Sequence, residues 1–523
     1  MLAVVVGSAL LVIYLITSIH RKNNSSLNDI PNAHFSVPYS RLWYQSLQWR
    51  KMENRTRVHL HRRLGPVVRI GPRAVSVNCI DDGVRTVYSS KFDKDASFYQ
   101  ALCDQIDLMV TMTGNDEHRN RKRMLSRPYS NSYILNSQTL DSVLSRVSRR
   151  LGEEVAEWAS TGISVDVYQQ AKCCTLDVAS GWLFGSENAT DTLRDPGFEN
   201  DLTKLASAAL KRLSLHSAHW SITYFANWIG NGLPDQNAKG RWEAWLTRVI
   251  TDSYRRHPTK PPSNASLYDH FYDSFKAANP DMPLNEAASH IAVECDDHLS
   301  ASHTSVGTVL SYTMYELSRD PDWQRALRKE LLTLAQPSDQ SLAHRVANLP
   351  VLDAVVTETL RTRAPSPGPF PRVVPDSGCR LAGKFDIPGG TVVSSSVWAL
   401  HFNPVPFPSP EEWRPGRWLE ADRDTLAEMR KWVWTFGSGA RVCIGNHYSL
   451  RGRFHPFTIP DVRSSKKVLT RQMSTVIKEL LVTVYTTYET SVDEGFTGNV
   501  EQVDAFSAGP LADCLKLKFR RLP

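Results

Sequence analysis

Hydrophobic and polar positions divide this 523-residue chain into stretches of different period. Residues 2–19 carry no charge, and His20, Arg21 and Lys22 follow at once. A run of that length is just sufficient for a spanning helix. Its cationic flank lies after the apolar run, which predicts an uncleaved anchor over 1–22 and a cytosolic bulk rather than a cleaved signal. Residues 23–40 are polar, hold Pro31 and Pro38, and read as a linker. The stretches Gly65–Pro72 and Ala74–Asn78 predict two short strands around a turn. From about residue 134 to 330 the apolar positions recur mostly at helical spacing. A further helix is predicted over Val351–Thr362, followed by an irregular Pro- and Gly-rich region over 364–439.

The pattern breaks once more near the C-terminus. Tyr448, Met473, Val476, Ile477, Leu480 and Leu481 fall on one helical face only if residues 451–471 are removed. That segment contains Pro456 and Pro460, which break helices, and six Lys or Arg against one Asp. It reads as an insertion, either a surface loop or an untranslated stretch carried into the frame.

Composition narrows the field only modestly. Hydrophobic residues make up 41%, enough for a sizeable core, and the net charge is +7. No basic tail or aromatic-spaced basic stripe is present, which argues against a nucleic-acid partner. The mild basic excess suits a membrane surface or an acidic protein. The eight cysteines include no C-x-x-C pair, and a long chain of this kind reads as one from a reducing compartment.

One cysteine carries chemistry. Phe436-Gly-Ser-Gly439-Ala-Arg441-Val-Cys443-Ile-Gly445 has the form F-x-x-G-x-R-x-C-x-G. A thiolate facing a metal needs a loop that bares the sulfur and offers N–H groups to its charge. Glycines allow that turn, and an arginine two residues before the sulfur can pair with an anionic cofactor group. A buried structural cysteine in a turn does not require all five fixed positions.

This string resembles the haem-binding loop of the cytochrome P-450 (haem-thiolate monooxygenase) family. The resemblance implies Cys443 as the axial ligand of haem b, Arg441 on a haem propionate, and Phe436 beside the thiolate, with Gly439 in the turn. Three further motifs follow the family's order. His118 and Lys122, one helical turn apart, take positions that contact the propionates, with Arg121 as the alternative to Lys122. Glu358-Thr-Leu-Arg361 and Trp413-Arg-Pro-Gly-Arg417-Trp418 imply a structural Glu358–Arg361–Arg417 triad, and Arg372 implies another propionate contact. In the helix that faces the iron, Ser300-Ala-Ser-His303-Thr304-Ser305 stands where the family has A/G-G-x-D/E-T-T/S. Thr304 is kept, His303 replaces the acid, and Ala301 replaces the glycine associated with a kink. An imidazole can also relay protons, so Thr304 and His303 are the implied catalytic pair.

The resemblance implies a mainly α fold with a small β region after one N-terminal transmembrane helix, with the catalytic domain over 41–523. It implies an endoplasmic reticulum protein spanning once, resembling microsomal fungal biosynthetic members. The reaction would be oxidation of a lipophilic small molecule (terpenoid, polyketide or alkaloid) with O2. No flavin or nucleotide domain is evident, so NADPH electrons would come through a separate flavoprotein reductase, with a small haem electron carrier as a further partner. A haem-thiolate isomerase or dehydratase, favoured by the missing acid, and a chain impaired by the insertion stay open here.

Overall fold

A computed structural model describes residues 26–89, 92–99, 108–205, 235–257, 265–336, 342–446 and 475–523. The architecture is mainly helical with small sheets. Both predicted strands form, as Val67–Gly71 (β1) and Ala74–Val77 (β2), and pair antiparallel. They open a five-stranded sheet in the order β1-β2-β8-β5-β3. Its other members are Asp93–Lys94 (β3), Arg372–Val373 (β5) and Val392–Ser394 (β8). Val165–Asp166 (β4), Tyr488–Val492 (β9) and Lys516–Arg521 (β10) form a second sheet, and Cys379–Leu381 (β6) pairs with Phe385–Ile387 (β7).

The irregular region predicted over 364–439 is therefore more ordered than its Pro and Gly content suggests. It contains β5 to β8 and several short helices, because paired strands of two or three residues are too brief to leave an alternating signature.

The linker expected over 23–40 also packs. Leu27, Ile30 and Val37 are buried. The Ala33 N–H donates to Arg69 O at 2.9 Å, and the Arg69 N–H to Pro31 O at 2.8 Å. Proline and polar content hid a strap that satisfies the free edge of β1.

The helical part is built around Val167–Phe184, buried on nearly every side. Such a helix belongs in the middle of a bundle. Asp166 starts it by accepting the Tyr168 N–H at 3.1 Å. Gln138–Thr161 and Gly307–Arg319 pack against it, and Thr475–Tyr485 packs in turn on Gln138–Thr161, in one continuous core. Val476, Ile477, Leu480 and Leu481 are all buried there, on the face the interrupted pattern predicted. The segment 451–471 and the predicted anchor lie outside the described residues. Among the described residues no helix is long and apolar enough to cross a membrane.

Candidate haem-thiolate site

The cysteine loop is held from both ends by backbone bonds. The Cys443 N–H donates to Phe436 O at 2.9 Å, and the Gly437 N–H to Trp434 O at 3.0 Å. Gly437 and Gly439 have φ of 68° and 69°, where a side chain is strained. At Gly439 space is the stronger constraint, since a Cβ would stand 2.1 Å from Tyr88 O. Gly445 contributes differently from the turn expected of it. It has no positive φ, and its N–H serves the Cys443 sulfur. Cys443 is exposed on this loop. The surrounding protein still pushes its thiol above the usual range, while the Gly445 N–H and Lys122 pull the other way. Phe436 is half-buried against the helical core.

Glu358, Arg361 and Arg417 meet in full burial. Arg361 donates to both oxygens of Glu358, at 2.7 and 2.9 Å, and Arg417 Nε adds a third bond at 3.0 Å. The Trp418 indole and the Arg414 N–H complete the shell, each at 2.9 Å. His401, which sequence reasoning missed, ties this cluster to the cysteine loop. Its Nδ1 donates to Arg361 O at 2.9 Å, and its Nε2 accepts the Trp434 N–H at 2.8 Å. That pairing fixes the neutral tautomer. Burial agrees, lowering His401 to about 3.

Cations gather on the other side of the loop. Lys122 Nζ donates to Ala440 O and Val442 O at 2.9 and 2.7 Å. Arg121 instead pairs with Glu294 at 2.9 Å. Lys122, rather than Arg121, is therefore the basic residue of that helix that reaches the loop. Arg441 donates to Met112 O and Thr113 O at 2.8 and 2.6 Å. Arg372 is buried, with Nη1 on Tyr99 Oη and Pro371 O, each at 3.0 Å. His118 is buried beside them. No acid among the described residues forms an ion pair with Lys122, Arg372 or Arg441. Burial, then the other cations, lowers His118 to about 3 and Arg441 to about 10. Among the described residues the buried Arg441 Nε has no acceptor.

The helix Leu284–Ala301 runs into a π-helical turn, Ser302–Val306, before continuing as Gly307–Arg319. The irregularity that Ala301 denies to a glycine kink is supplied by this extra residue per turn. Thr304 lies in it, its hydroxyl donating to Ser300 O at 2.7 Å. His303 does not face water. It is buried against Glu199, with Nε2 2.7 Å from Oε1. Lys172 Nζ stands 3.0 Å from the same carboxylate, and Thr203 donates to it at 2.6 Å. Burial raises Glu199, but these partners outweigh it and hold the acid near 2. Burial lowers His303. Its Nε2 therefore carries the proton, and among the described residues its buried Nδ1 has no partner. Glu199 was invisible to motif reading, because it lies over a hundred positions from His303 and follows no fixed spacing.

A bared sulfur beside cations that no acid neutralises suits one kind of prosthetic group. An iron porphyrin offers a metal to the thiolate and carboxylates to the cations, so the class is a haem-thiolate protein. The profile named Cytochrome P450 matches residues 36–449, and the chain belongs to that family. Its relatives are cytochrome P450 monooxygenases of filamentous fungi. The monooxygenase orf2 of Aspergillus niger is 27% identical over 85% of this chain and 87% of its own length. For avaI of Aspergillus versicolor the figures are 29%, 74% and 92%. BOT1 of Botryotinia fuckeliana is 28% identical over 74% of each chain. The protein is a haem-dependent monooxygenase whose cofactor is haem b.

Proposed function

We propose that this monooxygenase hydroxylates or otherwise oxidises a lipophilic small molecule in secondary metabolism, of terpenoid, polyketide or alkaloid type. Its electrons would come from NADPH through a separate flavoprotein reductase, with a small haem carrier as a second donor. The charge-free run over residues 2–19 supports a single span in the endoplasmic reticulum membrane, with the catalytic domain cytosolic. The observation that carries the reading is the Cys443 loop beside its unneutralised cations.

Bound haem supplies dioxygen activation, with the thiolate donating electron density to the metal. The chain's own residues do the rest. Cys443 would bind the metal through its thiolate, whose charge the Gly445 N–H and Lys122 stabilise. Arg372, Arg441, His118 and Lys122 would hold the haem carboxylates. The triad and His401 fix the loop's position. Thr304 and His303 would handle protons for the activated oxygen. With Nε2–H committed to Glu199, His303 Nδ1 is the atom free to accept one. The acid missing at position 303 is thus provided by Glu199, which favours oxygen activation over isomerisation or dehydration.

Metabolite profiles of a deletion strain and its parent, followed by turnover of the accumulated compound with NADPH and reductase, test this reading. It expects one lipophilic compound to accumulate and to gain oxygen in vitro. Conversion that proceeds without NADPH would overturn it.

A further inference from the structure

The helix Leu284–Ala301 carries three acids near its end, and the protein answers two of them. Glu294 Oε1 accepts from Arg121 at 2.9 Å and from the Met109 N–H at 3.2 Å. Asp296 accepts the Trp242 indole at 2.7 Å. Among the described residues Asp297 has neither a hydrogen bond nor an ion pair. Its charge acts on Cys443 and on Lys94, so its half-buried carboxylate faces the space between this helix and the cysteine loop. Ser300 and Thr304 follow it at three and seven residues, on the same side of the helix. Lys94 stands opposite Arg372 in the β3–β5 pair and commits its Nζ to Val110 O, and no ion pair joins it to Asp297. Two more acceptors stand close. Ligand atoms of Glu294, Asp297 and His298 lie within 4.8 Å of one another. Glu294 Oε2 and His298 Nε2 are buried, and among the described residues neither has a partner. With Tyr129 Oη 2.9 Å from its Nδ1, His298 can hold its proton there and accept at Nε2. Burial lowers His298 to about 4, so the ring is neutral. Burial, then Asp296, raises Asp297 to about 7, while Lys94 pulls it down. A carboxylate in such a place is costly unless a cation meets it.

We propose that Asp297 binds the protonated amine of a lipophilic substrate, with Glu294 and His298 as further acceptors. The proposal rests on the haem-thiolate reading above and selects the alkaloid type among its three substrate classes. An ammonium group brings one charge and three N–H donors, which matches three acceptors. A divalent metal ion fits less well, because Arg121 already stands on Glu294. The hydrocarbon part of the molecule would then extend along the helix toward Ser300 and Thr304.

The test uses the full-length holoenzyme and probes that ligate haem iron through an imidazole, so that binding is read from the Soret shift. Each aminoalkylimidazole is paired with the alkylimidazole that has a methyl in place of the ammonium. The pair 1-(3-aminopropyl)imidazole and 1-butylimidazole is the first, and the aminoethyl and aminobutyl homologues with their own partners extend the reach. Titration at about pH 8 keeps Asp297 ionised and the amine protonated. For at least one length the parent should bind the amine about tenfold to a hundredfold more tightly than its neutral partner. Asp297→Asn and Asp297→Leu should abolish that preference, and Asp297→Glu should retain part of it. The ratio is taken within each protein, so a general change of the pocket cancels, and either neutral variant suffices. Equal affinities at every length in the parent overturn the proposal and leave Lys94 as the partner of Asp297. An unchanged ratio in the neutral variants overturns it too. No Soret response to 1-butylimidazole would overturn the haem-thiolate reading itself, and this proposal with it.

Discussion

Replacing Glu358 by glutamine keeps the size of the side chain and removes its charge. The carboxylate accepts from Arg361 at two atoms, from Arg417, from the Trp418 indole and from the Arg414 N–H. An amide presents an NH2 to donors at one of its two ends, so at least two of these bonds are lost. Arg361 and Arg417 are then left buried with no counter-charge. Removing one partner of a buried ion pair is destabilising by about 3–5 kcal/mol, which is a large share of a typical folding stability. The folded-to-unfolded ratio should fall about a hundredfold to a few thousandfold. Arg361 donates to His401 O at 3.0 Å, and His401 in turn holds the Trp434 N–H. Damage to the triad should therefore reach the cysteine loop. Purified Glu358→Gln protein should show a lower urea midpoint and less thiolate-ligated haem per chain in its carbon monoxide difference spectrum. A second change, Arg417→Met, should recover part of the loss by removing one orphaned charge. Parental midpoint and parental haem signal in the single variant would refute the reasoning.

Three further expectations follow from the same geometry. His401 is neutral in the folded state down to about pH 3, whereas an unfolded imidazole takes up a proton near about 6.5. Its contribution is therefore present above the unfolded value and is lost as pH falls. The stability advantage of the parent over His401→Gln should shrink by roughly 1.4 kcal/mol per pH unit below about 6, read from urea midpoints at pH 7.5 and 5; a constant difference would contradict the neutral pairing. His303→Ala and Glu199→Gln should both leave the carbon monoxide spectrum intact while cutting product per NADPH severalfold and raising peroxide release, and parental coupling in both would remove the proton relay. Deleting residues 1–22 should move the protein from the membrane to the soluble fraction on centrifugation, and unchanged partitioning would mean another surface is the tether.

What the sequence made legible was whatever is local or fixed by spacing. The Cys443 loop could be read because its glycines, arginine and sulfur act within ten residues of one another. Glu358 and Arg361 could be paired because one helical turn separates them, and Arg417 because its Trp-Arg-Pro-Gly setting resembles a family motif. The Lys94–Arg372 opposition could not be read, because strands of two residues leave no periodicity and their register is set by tertiary pairing. Glu199 and His401 escaped for a related reason. Each acts through a contact made only when distant segments pack, and neither sits at a spacing that signals its partner. The π-helical turn at Ser302–Val306 was hidden by the expectation that glycine is needed to distort a helix there. The strap over residues 26–38 was hidden by its polar and proline content, although Leu27, Ile30 and Val37 give it an apolar side.

The central claim is that Cys443, as thiolate, binds the iron of a haem held by this loop and its cations. It is tested most directly by the carbon monoxide difference spectrum of the reduced full-length protein beside that of Cys443→Ser. The parent should show the long-wavelength Soret band that thiolate ligation produces. The variant should lose that band while keeping any haem bound through the cation wall. The same band in the Cys443→Ser protein, or its absence from a parent that carries stoichiometric haem, would contradict the account.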